Sequence, residues 1–116
     1  METYTDACNG VNTWLNNRFG LIYSDGVERM CERLECFWLI DQIITSYVPS
    51  LQKLWQEHGL LLVCLTKTEG TAEAVFTVTV DIDTPPLIIQ VIPYTDIPMN
   101  VKLYWEIDRL FLPDEY

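Results

Sequence analysis

Residues 25–49, DGVERMCERLECFWLIDQIITSYVP, decide the fold because they combine a helix start, a helical periodicity and a helix stop. Asp25 is a typical N-cap, and Glu28 follows three residues later, as in a capping box. Apolar residues then recur at three- and four-residue spacing on one face. Pro49 is expected to end the helix, because proline lacks the backbone N–H that a helix interior needs. The pattern predicts one long helix over residues 25–48.

The segments on either side of this helix differ in character. Before it, residues 6–17 show a weak helical spacing, and after it residues 50–58 form a short helix that ends at Gly59. Beyond Gly59 the apolar residues alternate with polar ones, which is typical of half-buried strands. We predict a single α+β domain over residues 1–116, with N-terminal helices packed on one face of a C-terminal antiparallel sheet. About five strands are expected, at residues 60–66, 76–82, 87–92, 101–108 and 110–112.

Composition and charge exclude several classes of protein. The chain has 116 residues, of which 49% are hydrophobic, and carries 17 acidic against 7 basic side chains, a net charge of −10. A surface this acidic argues against direct nucleic-acid binding, which depends on basic side chains. No apolar run approaches the 18 residues of a membrane span, and the first residues lack the basic and apolar regions of a signal peptide. We therefore expect a cytoplasmic protein.

The cysteines and the histidine predict neither a metal site nor a cofactor. Cys31 and Cys36 are five residues apart in the predicted long helix, which places them about 140° from each other around its axis. At that angle they can neither share a metal nor form a normal disulfide. His58 has no cysteine or histidine at zinc-ligand spacing. We expect reduced cysteines, most of them buried.

Asp41 is the most informative single residue, since it falls within the apolar stripe of the long helix. A buried carboxylate is costly unless it accepts hydrogen bonds or pairs with a cation. We predict a structural acceptor that holds a neighbouring loop or strand. A general acid or base is the alternative, but no catalytic motif accompanies it, and we assign no catalytic residue.

Carboxylates elsewhere predict a surface for a basic protein partner. Glu28, Glu32 and Glu35 lie on the polar face of the long helix, where they form an acidic ridge about 10 Å long. Arg29 and Arg33 flank this ridge and partly compensate its charge, and a solvated helix face is the plain alternative. Asp81 and Asp83 add acidic groups in the strand half, and we include them among the partner-binding residues.

Four segments resemble a family of small uncharacterised bacterial and phage domains. They are Tyr23-Ser24-Asp25-Gly26-Val27, Phe37-Trp38-Leu39-Ile40-Asp41, Tyr94-Thr95-Asp96-Ile97-Pro98 and Leu112-Pro113-Asp114-Glu115-Tyr116. The resemblance implies a stand-alone domain, often near mobile elements. Because the family has no established activity, the resemblance assigns no catalytic residues.

Three functions follow as hypotheses. The first is a non-enzymatic acidic interaction domain, such as a phage or mobile-element inhibitor that mimics nucleic acid and occupies a basic protein cleft. The second is a small hydrolase or nucleotide-processing enzyme that uses Asp41 and Asp96. The third is a structural, dimerising subunit. An apolar strip on the second half of the long helix makes a homodimer as plausible as a monomer. This strip comprises Leu39, Ile40, Ile43 and Tyr47.

Overall fold

The first α-helix, α1, spans Asp25–Leu34 and is shorter than the sequence predicts. Its N-cap is Ser24 and not Asp25, because the Ser24 hydroxyl accepts a hydrogen bond from Val27 N at 3.1 Å. The helix ends at Glu35, which adopts a left-handed conformation with φ of 52°. Cys36 N then donates to Cys31 O at 3.0 Å, the closing bond of a Schellman motif. The predicted long helix is therefore interrupted at residues 35–36.

A second helical segment follows this break. It contains a π-helical turn at Leu39–Ile44 and continues as α2 over Thr45–His58. Thr45 N donates to Ile40 O, five residues earlier, as the wider π turn requires. Pro49 lies inside α2 and does not end it, so the predicted stop is wrong. Proline removes one bond from a helix that is already irregular beside the π turn, and packing against the sheet holds the segment together.

The computed structural model describes residues 2–6, 10–81 and 83–116. In these residues the fold is α+β, with seven strands in one sheet of order β1-β2-β7-β6-β3-β4-β5. All neighbours are antiparallel except β2 and β7, which are parallel, so the predicted purely antiparallel sheet is wrong. The strands are β1 (Trp14–Asn16), β2 (Ile22–Ser24), β3 (Leu61–Lys67), β4 (Ala74–Thr79), β5 (Ile88–Ile92), β6 (Val101–Glu106) and β7 (Arg109–Phe111).

Two strands precede the helices, whereas the sequence predicts helices first. The predicted helix over residues 6–17 is replaced in its second half by β1, and residues 7–9 lie outside the described residues. The turn after β1 explains this, because the Asn17 side-chain oxygen accepts from Phe19 N and Leu21 N, both at 2.9 Å. Such turns reverse the chain and favour a hairpin. Strands of three residues are too short to show an alternating pattern.

The hydrophobic core lies between the helices and one face of the sheet. Strand residues on that face include Leu61, Val63, Phe76, Leu103, Trp105 and Leu110, all at most 1% exposed. The apolar strip predicted as a dimer interface belongs to this core: Leu39 and Ile40 are buried, and Tyr47 stacks on Phe76 at 5.4 Å. Most of the strip is thus covered within the chain, although Ile43 and Tyr47 remain half-buried.

Candidate functional site: an acidic helix face and its surroundings

The predicted acidic ridge lies along α1 and its C-terminal end. Glu32 and Glu35 are exposed and Glu28 is half-buried. In the part of the chain that the structure describes, none of the three carboxylates is in an ion pair. The ridge therefore presents its negative charge to solvent.

Arg29 does not compensate the ridge, contrary to the prediction. Its Nε donates to Asp6 Oδ2 and its Nη1 donates to Asp25 Oδ2, both at 3.0 Å. Burial raises the pKa of Asp25, but hydrogen bonds from Arg29 and from Asn12 N and Thr13 N outweigh it and lower the pKa overall. The guanidinium is therefore occupied at the N-terminal end of α1.

Arg33, the second flanking base, donates through Nη1 to the Tyr4 hydroxyl at 3.2 Å. Burial and the neighbouring Asp6 raise the pKa of Tyr4. This contact turns Arg33 toward the N-terminal segment. Because the Tyr4 hydroxyl is neutral, Arg33 keeps its positive charge, and only Arg29 is paired with carboxylates away from the ridge.

Asp81 and Asp83 are exposed but lie in another part of the molecule. They follow β4, which is sixth in the sheet order, whereas α1 contacts β2 and β7, which are second and third. Asp81 belongs to a turn in which its N donates to Thr84 Oγ1 at 3.2 Å. The structure therefore does not bring this pair to the acidic ridge.

Asp41 lies in the π-helical turn and is half-buried, not fully buried as predicted. Its Oδ1 accepts from Asn17 Nδ2 at 3.2 Å, and the same amide donates to Thr45 Oγ1 at 2.9 Å. The carboxylate thus contacts the loop between β1 and β2. The wider π turn, which a regular helical wheel does not describe, explains why Asp41 leaves the apolar stripe.

Asp96 lies elsewhere, in a cleft of about 360 Å³ beside the π turn. Trp38 and Gln42 line one side of this cleft, and Tyr94 and Asp96 line the other. Asp41 is not among the lining residues, so the two carboxylates of the enzyme hypothesis do not share a cleft. Two segments of the family resemblance, residues 37–41 and 94–98, do meet here.

The other two segments of the resemblance meet at a buried carboxylate that sequence reasoning missed. Glu115 is 6% exposed, and its Oε1 accepts from the Ser24 hydroxyl at 2.5 Å and from Leu112 N at 2.9 Å. Its Oε2 accepts from Gly26 N at 3.3 Å. A negative charge is favourable at a helix N-terminus, where the backbone N–H groups lack partners. We name this group of residues the carboxylate junction.

The signal for the carboxylate junction in the sequence is Gly26, a glycine in the first turn of a helix. A Cβ at this position would lie 2.6 Å from the carboxyl carbon of Glu115. Glycine is therefore required because the side chain of Glu115 occupies that space. The sequence shows the glycine, but not which acid lies against it.

The cysteine pair differs from its prediction, because α1 ends between the two residues. Cys31 and Cys36 are both fully buried, and the break at Glu35 brings their thiols into hydrogen-bonding contact. The hydrogen bond raises the pKa of Cys31 and lowers that of Cys36. The predicted angle of about 140° holds only for an unbroken helix.

In residues 2–6, 10–81 and 83–116, no group of three or more His, Cys, Asp or Glu side chains is placed to hold a metal ion. Within the same ranges, no helix has both the length and the apolar character needed to cross a bilayer.

Comparison with known proteins places the chain in a family. No curated protein and no solved structure is significantly similar to the chain. A family of unknown function, DUF6876, matches residues 2–116, nearly the whole sequence. The chain is therefore a member of the DUF6876 family.

Proposed function

We propose that this protein is a non-enzymatic acidic interaction domain that binds a basic surface of another protein. The observation that carries the proposal is the acidic ridge, in which Glu32 and Glu35 are exposed, Glu28 is half-buried, and none of the three is in an ion pair within the described residues. Of the two flanking bases, Arg29 is paired with Asp6 and Asp25, whereas Arg33 bonds the neutral Tyr4 hydroxyl and keeps its positive charge. A ridge of this kind is attracted by a basic cleft.

The spacing of the charges supports a nucleic-acid mimic. The ridge places Glu28 and Glu32 about 6 Å apart along the axis of α1, and Glu35 follows at the C-cap of the helix. Three successive phosphates of one DNA strand span about 7 Å along the duplex axis. A partner that binds a phosphate backbone with lysine and arginine side chains therefore meets a comparable charge density. The protein would then be an inhibitor from a phage or mobile element that acts in the cytoplasm and presents carboxylates in place of phosphates.

Substitutions on the ridge test the proposal. Glu28→Gln with Glu32→Gln removes two negative charges from α1, and the control Glu69→Gln with Asp108→Asn removes two from exposed turns elsewhere. Exposed charge pairs contribute up to about 1 kcal/mol each, so the ridge variant should bind its partner roughly tenfold more weakly than the control. Raising the salt concentration should reduce binding in the same way.

The measurement is affinity capture from a lysate with the wild type, the ridge variant and the control as baits. We expect basic nucleic-acid-binding proteins that the wild type and the control retain and the ridge variant loses. Titration of the captured protein against each bait then gives the three dissociation constants. Equal dissociation constants for the ridge variant and the control would contradict the proposal.

A further inference from the structure

A second cleft lies on the sheet face opposite the helices, where β1, β6 and β7 meet. Its volume is about 210 Å³. It combines aromatic side chains with charged ones of both signs, which sets it apart from the acidic ridge. The main lining residues are Trp14, Glu106, Arg109, Phe111, Glu115 and Tyr116.

Aromatic rings form the walls of this cleft. Trp14 packs edge-on against Phe111 at 6.3 Å between ring centroids, and Tyr116 stacks on Phe111 at 5.8 Å. Phe111 is buried, but Trp14 is 39% exposed and Tyr116 is 76% exposed. Aromatic side chains bind flat ligands by stacking, and Tyr116 is the more open of the two rings, since the Arg109 guanidinium already lies over Trp14.

Arg109 supplies a hydrogen-bond donor that the protein itself does not use. Its guanidinium carbon lies 4.6 Å from the centroid of the Trp14 ring. In the described residues Arg109 is in no ion pair, and its Nε is buried without a hydrogen-bond partner. That atom is covered by the protein, so a ligand would contact the guanidinium through its terminal Nη groups, which belong to a half-buried side chain that lines the cleft.

Glu106 supplies the complementary acceptor. It lies directly opposite Arg109 in the β6–β7 pairing, and both side chains line the cleft. The two nevertheless form no ion pair within the described part of the chain. A cationic donor and an anionic acceptor are therefore offered side by side. The net charge of −10 disfavours a ligand that is itself negative.

We propose that this cleft binds a neutral, planar heterocycle with hydrogen-bond acceptors and donors on adjoining edges. Guanine is the common biological group with this pattern. Arginine donates to its O6 and N7 atoms, and a carboxylate can accept from N1–H and the N2 amino group. Stacking on the exposed aromatic walls would hold the ring. Because phosphates are repelled, the ligand is the free base or nucleoside and not a nucleic-acid strand. This inference does not depend on the acidic ridge.

Isothermal titration calorimetry with guanosine, adenosine and guanosine monophosphate tests the proposal on the wild-type chain. Guanosine should bind, and adenosine should bind at least tenfold more weakly, because it presents a donor where guanine presents the O6 acceptor. Guanosine monophosphate should also bind more weakly, because the net negative charge of the protein repels its phosphate. Added salt screens this repulsion and should bring the dissociation constants of the two ligands closer together. No binding of guanosine, equal binding of adenosine, or tighter binding of the monophosphate would overturn the proposal.

Two variants locate the site. Arg109→Gln should weaken guanosine binding at least about tenfold, because it removes the charge-assisted bidentate contact to O6 and N7. The matched control is Arg18→Gln, since Arg18 also lies over an aromatic ring, Phe19 at 4.8 Å, but outside the cleft. Thermal unfolding establishes that each variant is folded. If Arg109→Gln does not fold, Glu106→Gln should give a similar loss. Unchanged binding in a folded variant of either residue would overturn the assignment.

Discussion

Gly26 shows how one missing side chain can specify a distant contact. In the first turn of α1 most residues would be tolerated, and alanine would ordinarily be better than glycine by up to about 1 kcal/mol. Here the carboxylate of Glu115 occupies the space of a Cβ and accepts hydrogen bonds from Ser24 and Gly26. Helix propensity and tertiary packing therefore make opposite demands at this residue, and packing prevails.

Gly26→Ala should consequently destabilise the protein, by about 2 kcal/mol, the typical scale for a disrupted buried contact. The Cβ would displace Glu115 and leave the Ser24 hydroxyl and Leu112 N without their acceptor. Chemical denaturation measures the free energy of unfolding. In a Glu115→Ala background the same substitution should be neutral or stabilising, because the carboxyl group is gone. Equal destabilisation in both backgrounds would contradict this account of the carboxylate junction.

At the scale of elements, the decisive event is the end of α1 at Glu35. Left-handed backbone is unfavourable for a residue with a Cβ, so a helix usually ends in glycine at this position. A glutamate there carries no signal in the sequence, which explains why one long helix was predicted. The pattern did predict both helical regions and approximate positions for β3 to β7. It could not show the parallel pairing of β2 with β7, which joins segments distant in sequence.

The candidate site was predictable to different degrees. The placement of Glu28 and Glu32 follows from helical spacing, since α1 is regular there, whereas Glu35 lies beyond the helix in a left-handed conformation. The engagement of Arg29 by Asp6 does not, because it depends on where the N-terminal segment lies. The environment of Asp41 was also missed, since the π turn changes which side chains share a face. Local periodicity was thus informative, whereas contacts between distant segments were not.

Glu35→Gly should stabilise the protein by about 1 kcal/mol, because glycine adopts the left-handed conformation without steric cost. Glu32→Gly is the matched control: it removes the same exposed side chain from the helix interior and should destabilise by about 1 kcal/mol. Both variants change the net charge equally, so electrostatic effects largely cancel in the comparison. The measurement is the denaturation midpoint of each variant. Destabilisation of similar size in both would show that α1 continues through residue 35.

For the whole molecule, the dominant property is charge confined to a small volume. The net charge is −10, and the principal extents are 35 × 29 × 27 Å. At 0.01 M ionic strength the Debye length is about 30 Å, so charges across the entire molecule repel one another. At 0.1 M it is about 10 Å, and only neighbouring charges interact. The folded state should therefore gain stability as salt is added.

We expect the melting temperature to rise by several degrees between 0.01 M and 0.2 M sodium chloride. The variant Glu28→Gln with Glu32→Gln should show a smaller rise, since it has two fewer negative charges. Glucose at matched osmolality controls for effects that do not involve screening. Differential scanning calorimetry measures the melting temperatures of the wild type in salt, of the variant in salt and of the wild type in glucose. A melting temperature that does not change with salt, or a rise as large in glucose, would show that self-repulsion is not a significant cost.

The carboxylate junction also bears on how the protein is made. A ribosome adds about 5 to 20 residues per second, and Ser24 precedes its partner Glu115 by 91 positions. For roughly 5 to 20 s after α1 is translated, its first turn therefore lacks the acid that completes it. The strand that pairs in parallel with β2 is also translated late, at Arg109–Phe111. The nascent chain must stay in a partly assembled state until these segments emerge, so the native contacts of α1 and β2 cannot be completed before residues 109–115 are available.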